Sequence, residues 1–169
     1  MTVAGIDSRD ALKIFLPHGK EALIKDLCIT VLVPGVSATG HIRFPSRSEY
    51  FQGHFPDSPC LPSHIVLEIA HEVMQVAILS ALTGEQRSKL WPLCWGWDEL
   101  RFRDQILPNE IFKMVVQIID PKPLLVLTQG IKAIEGLCLG YKVGGEKIIF
   151  EGTVYFSLVP KKKIKSSGV

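Results

Sequence analysis

The sequence predicts an α+β domain in which an antiparallel sheet of about six strands wraps around one long central helix. Three observations carry that expectation. From Ser63 to about Leu82 the chain has helix-forming composition, no Gly or Pro, and apolar residues on nearly every face, so this helix belongs inside something. Six other stretches are rich in β-branched and aromatic residues or alternate apolar with polar positions. Apart from the helix itself, short connections join these strands, which favours antiparallel neighbours. With 169 residues and 47% hydrophobic content, residues 1–169 suit one domain with a substantial core and leave no room for a second.

Taken in order, Ser8 can cap a short helix through Ala11, Leu12, Ile14 and Phe15, which Pro17 ends. Residues 1–18 are thus expected to be an N-terminal helix and connection covering one end of the sheet. Leu27 to Val33 and Thr39 to Phe44 read as strands, closed by Pro34-Gly35 and by Pro45. Prolines 56, 59 and 62 each fix φ and bias the preceding residue away from helix, so Gly53 to Pro62 is a stiff loop and helix begins only after it. Within the helix, Glu68, His71, Glu72 and Gln75 are spaced i, i+3, i+4, i+7 and predict one wet stripe on a buried rod.

Thr83-Gly84 stops the helix, and Glu85 to Lys89 reads as a charged linker. Leu93 to Phe102 reads as a strand with Trp91, Trp95 and Trp97 on one alternating face, where packing is the expected role. Glu110 to Ile119 is a further strand, closed by Pro121 and Pro123, and Leu124 to Glu135 reads as an insertion or extended arm. Leu137 to Val143 and Ile148 to Leu158 alternate about the Gly144-Gly145 turn and predict a hairpin. Residues 160–169 form a basic, solvated tail.

Several functional classes are disfavoured. A net charge of +2 gives no basic surface for nucleic acid, and Glu68, His71 and Glu72 make the apolar helix too costly for membrane insertion. Cys28, Cys60, Cys94 and Cys138 show no metal-ligand spacing, so no metal and no cofactor is expected. With no secretory pattern before Leu16, free thiols in a reducing cytoplasm are the expectation.

What remains is a gathering of chemistry in fewer than thirty residues. His54 sits on the stiff loop, the helix start beyond it offers unpaired N–H groups and a positive dipole end, and Glu68 follows on the helix. An imidazole suits proton abstraction near neutral pH, and a carboxyl in apolar surroundings stays protonated long enough to act as an acid. Taken singly, such a histidine is more often structural and such a glutamate more often solvated; the combination is what points to catalysis.

Gly53-His54-Phe55-Pro56-x-x-Pro59-x-Leu61-Pro62 followed by Glu68 resembles the hot-dog-fold 3-hydroxyacyl-acyl-carrier-protein dehydratases of type II fatty acid synthesis. The likeness runs from about Ala11 to Leu158. It includes Leu16-Pro17-His18, Phe51-Gln52, Gly96-Trp97-Asp98, Arg101-Phe102-Arg103 and Leu107-Pro108-Asn109-Glu110. The resemblance implies a hot-dog fold and removal of water from a 3-hydroxyacyl thioester to give the trans-2-enoyl thioester. It assigns His54 and Glu68 as catalytic, and Gly53, Ser63 and His64 to the oxyanion and substrate. Phe55, Pro62, His71, Glu72 and Phe102 become tunnel residues.

It further implies an acyl carrier protein bearing a phosphopantetheine-linked substrate. The catalytic unit would be a homodimer that shares His54 and Glu68 between subunits, with a trimer of dimers left open. The chain departs from the family pattern at Ser63, His64, His71, Glu72 and Gly19. Those departures suggest a specialised relative acting on polyketide-like or functionalised chains, and keep two alternatives open: a hot-dog acyl thioesterase, or a non-catalytic subunit working with a partner chain. Glu rather than Asp at position 68 argues against a combined dehydratase and isomerase.

Overall fold

The computed structural model describes residues 2–3, 6–7, 10–16, 24, 26–120 and 133–161. Its framework is a six-stranded antiparallel sheet in the order β3-β4-β6-β7-β8-β5, with a helix of 17 residues lying against it. The strands are β3 (Cys28–Val33), β4 (Ser37–Arg43), β5 (Leu90–Phe102), β6 (Ile111–Ile118), β7 (Ile134–Lys142) and β8 (Ile148–Pro160). Two short strands, β1 (Thr2–Val3) and β2 (Ile6–Asp7), pair with each other ahead of it.

The central helix α2 (Ser63–Leu79) packs on β4 and β6 and also touches β5 and β3, so the sheet curves around it. Ile69, Val73, Met74, Val76 and Ile78 on the helix meet Phe112, Met114, Phe150 and Phe156 from the strands, all at 0–1% exposure. The helix is shorter than expected because its end tightens: the Ala81 and Leu82 N–H groups donate only three residues back, to Ile78 O and Leu79 O, and the Ser80 hydroxyl donates to Ala77 O.

Four expectations change. The residues read as a charged linker form helix α3 (Gly84–Lys89), started by a reciprocal cap between Thr83 and Gln86. Helix α1 (Ala11–Phe15) starts at Asp10, not Ser8, which lies outside the described residues, and it rests on α2 and β3. The arm read over 124–135 lies mostly outside the described residues, but Ile134 and Glu135 belong to β7, where Ile134 is buried opposite Phe156.

The fourth change concerns the tryptophans. A β-bulge between Cys94 and Gly96 inserts one residue, Trp95, so the alternation reverses there. Trp91 and Trp95 stay outside, Trp95 against Tyr155, whereas Trp97 turns inward against His71 and Phe150. Of the basic tail, residues 162–169 lie outside the described residues. Lys161 is tied down, its backbone N–H donating to Lys89 O and its ammonium over the Trp91 ring at 4.1 Å.

Candidate active site

His54 is placed by a loop that closes on itself before α2 begins. Gly53 enters it with φ +78°, a left-handed conformation that side chains resist, although a Cβ there would meet nothing within 4 Å. The Cys60 N–H donates to His54 O at 2.9 Å, and the Leu61 N–H to Ile106 O at 2.8 Å, stitching the loop to the segment after β5. The imidazole is fixed from one side: its Nδ1 lies 3.1 Å from Cys60 O, with Cys60 Sγ at 3.5 Å. A carbonyl only accepts, so the proton sits on Nδ1 and Nε2 keeps its lone pair. Phe55 stacks on the ring at 4.3 Å between centroids.

Helix α2 starts directly after this loop with Pro62 at its N-cap, and no side chain caps it. The N–H groups of Ser63 and His64 therefore face outward from a positive helix end, as an oxyanion requires. A cavity of about 180 Å³ opens here, lined by His54, Cys60, Leu61, Ser63, Val66 and Phe102, with Ile106, Ile149 and Phe150 behind. Asp104 and Gln105 add polar groups at its edge. The Gln105 N–H and then Lys142 hold the Asp104 carboxyl below its usual range. Across β5 and β8, Arg101 and then Arg103 do the same for Glu151.

Of the expected site residues, His54, Ser63 and Phe102 line this cavity. Gly53, His64 and Pro62 flank it in sequence without lining it, and Phe55 is 56% exposed. Glu68 lies elsewhere. Ser63 and Val66 share the cavity face of α2, and two residues beyond Val66 the helix has turned by about 200°. Within one chain, then, Glu68 points to the other side of the helix from His54.

The stripe expected to be wet is only partly so. Glu72 is 1% exposed and accepts a bond from the Ile24 N–H. Glu68 and His71 remain about one quarter exposed, with His71 Nδ1 3.5 Å from Glu68 Oε2. On the far side of that ring, Trp97 Nε1–H donates to His71 Nε2 at 2.8 Å. Burial, the largest influence on His71, disfavours its charge, whereas Cys94 and Glu68 favour it and raise the pKa. The indole opposes them, because its N–H needs a bare Nε2; a second proton on the ring breaks that bond. Tyr50 faces the same carboxylates, and burial, then Glu49, Glu72, Asp26 and Glu68, keep its phenol protonated.

Sequence reasoning missed the back wall of the cavity, Val66, Ile106, Ile149 and Phe150, since nothing in an apolar residue announces that it borders space. It also missed the Cys60 carbonyl as the partner of His54. A larger hollow of about 490 Å³ is lined by Asp26, Arg47, Glu49 and Tyr50 among others, but it contains neither His54 nor the start of α2. Among the described residues no cluster of His, Cys, Asp or Glu could hold a metal, and no helix is long and apolar enough to cross a membrane.

A long helix enclosed by a six-stranded antiparallel sheet, with a histidine loop at the helix start, defines a hot-dog-fold protein. Solved structures with this arrangement include a putative thioesterase from Silicibacter sp. TM1040, with TM-score 0.64 and 13% identity, covering 95% of this chain and 99% of that one. Thioesterase superfamily member 2 from zebra fish aligns with TM-score 0.64 and 10% identity over 94% of this chain and 99% of its own. At such identities the likeness is one of fold. The sequence goes further: a family model described as a FabA-like domain matches residues 33–139, more than half of the chain, and the protein belongs to that family. A 3-hydroxyacyl-acyl-carrier-protein dehydratase FabZ from Moorella thermoacetica is 29% identical over 152 residues, 90% of this chain and 96% of the relative. Its counterpart from Bacillus subtilis is 30% identical over 125 residues, 74% of this chain and 86% of the relative.

Proposed function

We propose that the protein dehydrates a 3-hydroxyacyl thioester carried on acyl carrier protein, giving the trans-2-enoyl thioester. The observation that carries this reading is the pinned imidazole: His54 lines the cavity with Nδ1 bound to Cys60 O, which leaves a lone pair on Nε2 to take a proton. The thioester oxygen accepts from the Ser63 amide at the start of α2, whose positive end favours the charge that develops as the C2 proton leaves. His54 Nε2 takes that proton, the C2–H electrons form the double bond, and the C3–O bond breaks. The departing hydroxide takes a proton from the Glu68 carboxyl and leaves as water; the two side chains then re-equilibrate their protons through solvent.

Because Glu68 and His54 face opposite sides of α2, this chemistry needs a second chain, so the catalytic unit is a homodimer in which one subunit supplies the base and the other the acid. Strand β5 supports that assembly. It is an edge strand of 13 residues with Trp91, Leu93, Trp95, Leu100 and Phe102 all exposed, an apolar surface of the kind that a second subunit covers. The experiment is incubation with a 3-hydroxyacyl-acyl-carrier-protein while enoyl absorbance and free thiol are followed together. Enoyl absorbance without thiol release is the expected result. Thiol release without enoyl product means a thioesterase instead, and no turnover without an added partner chain means an auxiliary subunit.

A further inference from the structure

We propose that His71 is a positioning residue for Glu68, presenting an Nδ1–H to its carboxyl from a tautomer that Trp97 dictates. This rests on the reading of Glu68 as the acid.

The polarity of the contacts leaves one arrangement. An indole nitrogen has a proton and no available lone pair, so the 2.8 Å contact between Trp97 Nε1 and His71 Nε2 is a hydrogen bond only if Nε2 is bare. A neutral imidazole then carries its proton on Nδ1, the atom 3.5 Å from Glu68 Oε2. Donors therefore run in one direction, from indole to imidazole to carboxyl. Oε2 is the carboxyl oxygen that this donor approaches. Were the ring reversed, with its proton on Nε2, it would clash with the indole and compete for the proton of the acid.

The surroundings keep the ring in place. His71 stacks at a tilt on Trp97, with centroids 5.2 Å apart, and meets the edge of Phe156 at 5.8 Å. Trp97 is inside the protein only because of the bulge at Trp95, so the donor is supplied by an irregularity in β5. Cys94 from the same strand and Glu68 from α2 both favour a charged ring, and the indole bond is what stands against it.

Nitrogen-15 NMR of histidine-labelled protein at neutral pH tests the tautomer directly. The expected result is a neutral His71 protonated at Nδ1, turning to imidazolium in Trp97→Phe. An Nε2-protonated ring or an imidazolium in the unaltered protein overturns the proposal. Kinetics test the consequence. His71→Ala should lower kcat by up to about 100-fold, the scale of a misplaced catalytic group, with KM changed by less than about two-fold because ground-state binding is untouched. Asparagine carries its amide N–H where Nδ1 was and glutamine nearer Nε2, so His71→Asn should recover most of the rate and His71→Gln should not. Equal rates for Asn and Gln, both folded by thermal melting, refute a positioning role. An unaltered protein that dehydrates nothing defeats the reading of function instead, while the NMR arm still decides the tautomer.

Discussion

Replacing His54 by asparagine and, separately, by alanine should divide the catalytic from the structural work of this side chain. Both lose the lone pair at Nε2, and removal of a general base costs about 100- to 10,000-fold in rate, or about 3–5 kcal/mol of transition-state stabilisation. Only alanine also abandons the Cys60 carbonyl. That carbonyl belongs to a residue 6% exposed, and an orphaned buried acceptor costs about 1–3 kcal/mol. The space vacated by the ring opens into the cavity and admits water, which sets the expectation at the low end, about 1 kcal/mol. For a chain of this length that is a drop of about 2–4 °C in Tm. Asparagine places an amide N–H close to the old Nδ1 and should melt near the unaltered protein. The assay is enoyl absorbance for rate, beside a thermal melt for each variant. Asparagine turning over at the original rate would refute the assignment of the base; asparagine melting as low as alanine would refute the bond to Cys60 as what seats the loop.

Two further outcomes follow from packing and charge. A Cβ added at Gly140 would lie 2.7 Å from Phe112 Cζ and 2.9 Å from Phe150 Cβ, both on fully buried residues, so Gly140→Ala should destabilise by about 1–3 kcal/mol in urea unfolding, and an unchanged midpoint would contradict that packing. Burial and then Lys113 hold His41 below its ordinary value of 6.5, where its Nδ1 meets the Thr30 hydroxyl at 2.8 Å. The unfolded chain therefore gains a proton that the folded one refuses, so this contribution to stability is complete above pH 6.5 and falls away as the pH drops below it. His41→Gln should flatten that acid limb below pH 6.5; an unaltered limb would mean the proton is taken up elsewhere.

How far the sequence could be read depended on whether a feature was local. The stiff loop, the apolar helix and the hairpin about Gly144-Gly145 are written in Pro, Gly and periodicity, and each begins where it was expected, although the helix ends earlier. Glu72 looked solvated because its spacing matched Glu68 and His71, but it is buried among residues distant in sequence, Ile24 among them, 48 residues away. The tryptophans misled for a different reason: alternation presumes an unbroken strand, and the one mark of the inserted residue, the strand glycine Gly96 beside it, passed as part of a motif. The cap of α3 was legible in Thr83 and Gln86 but hidden behind a run of charges. In the candidate site, residue types pointed to His54 and to the start of α2, whereas the cavity wall and the partner of His71 arise from elements distant in sequence.

The extra residue in β5 has a wider consequence. Downstream of Trp95, which side chains look inward depends on whether the number of residues before them is odd or even, not on what those residues are. Shortening the strand by one at that point would turn Trp97 to solvent and bring Gly96 inside, although every side chain needed would still be present in the chain. For this strand, counting is a stricter constraint than spelling.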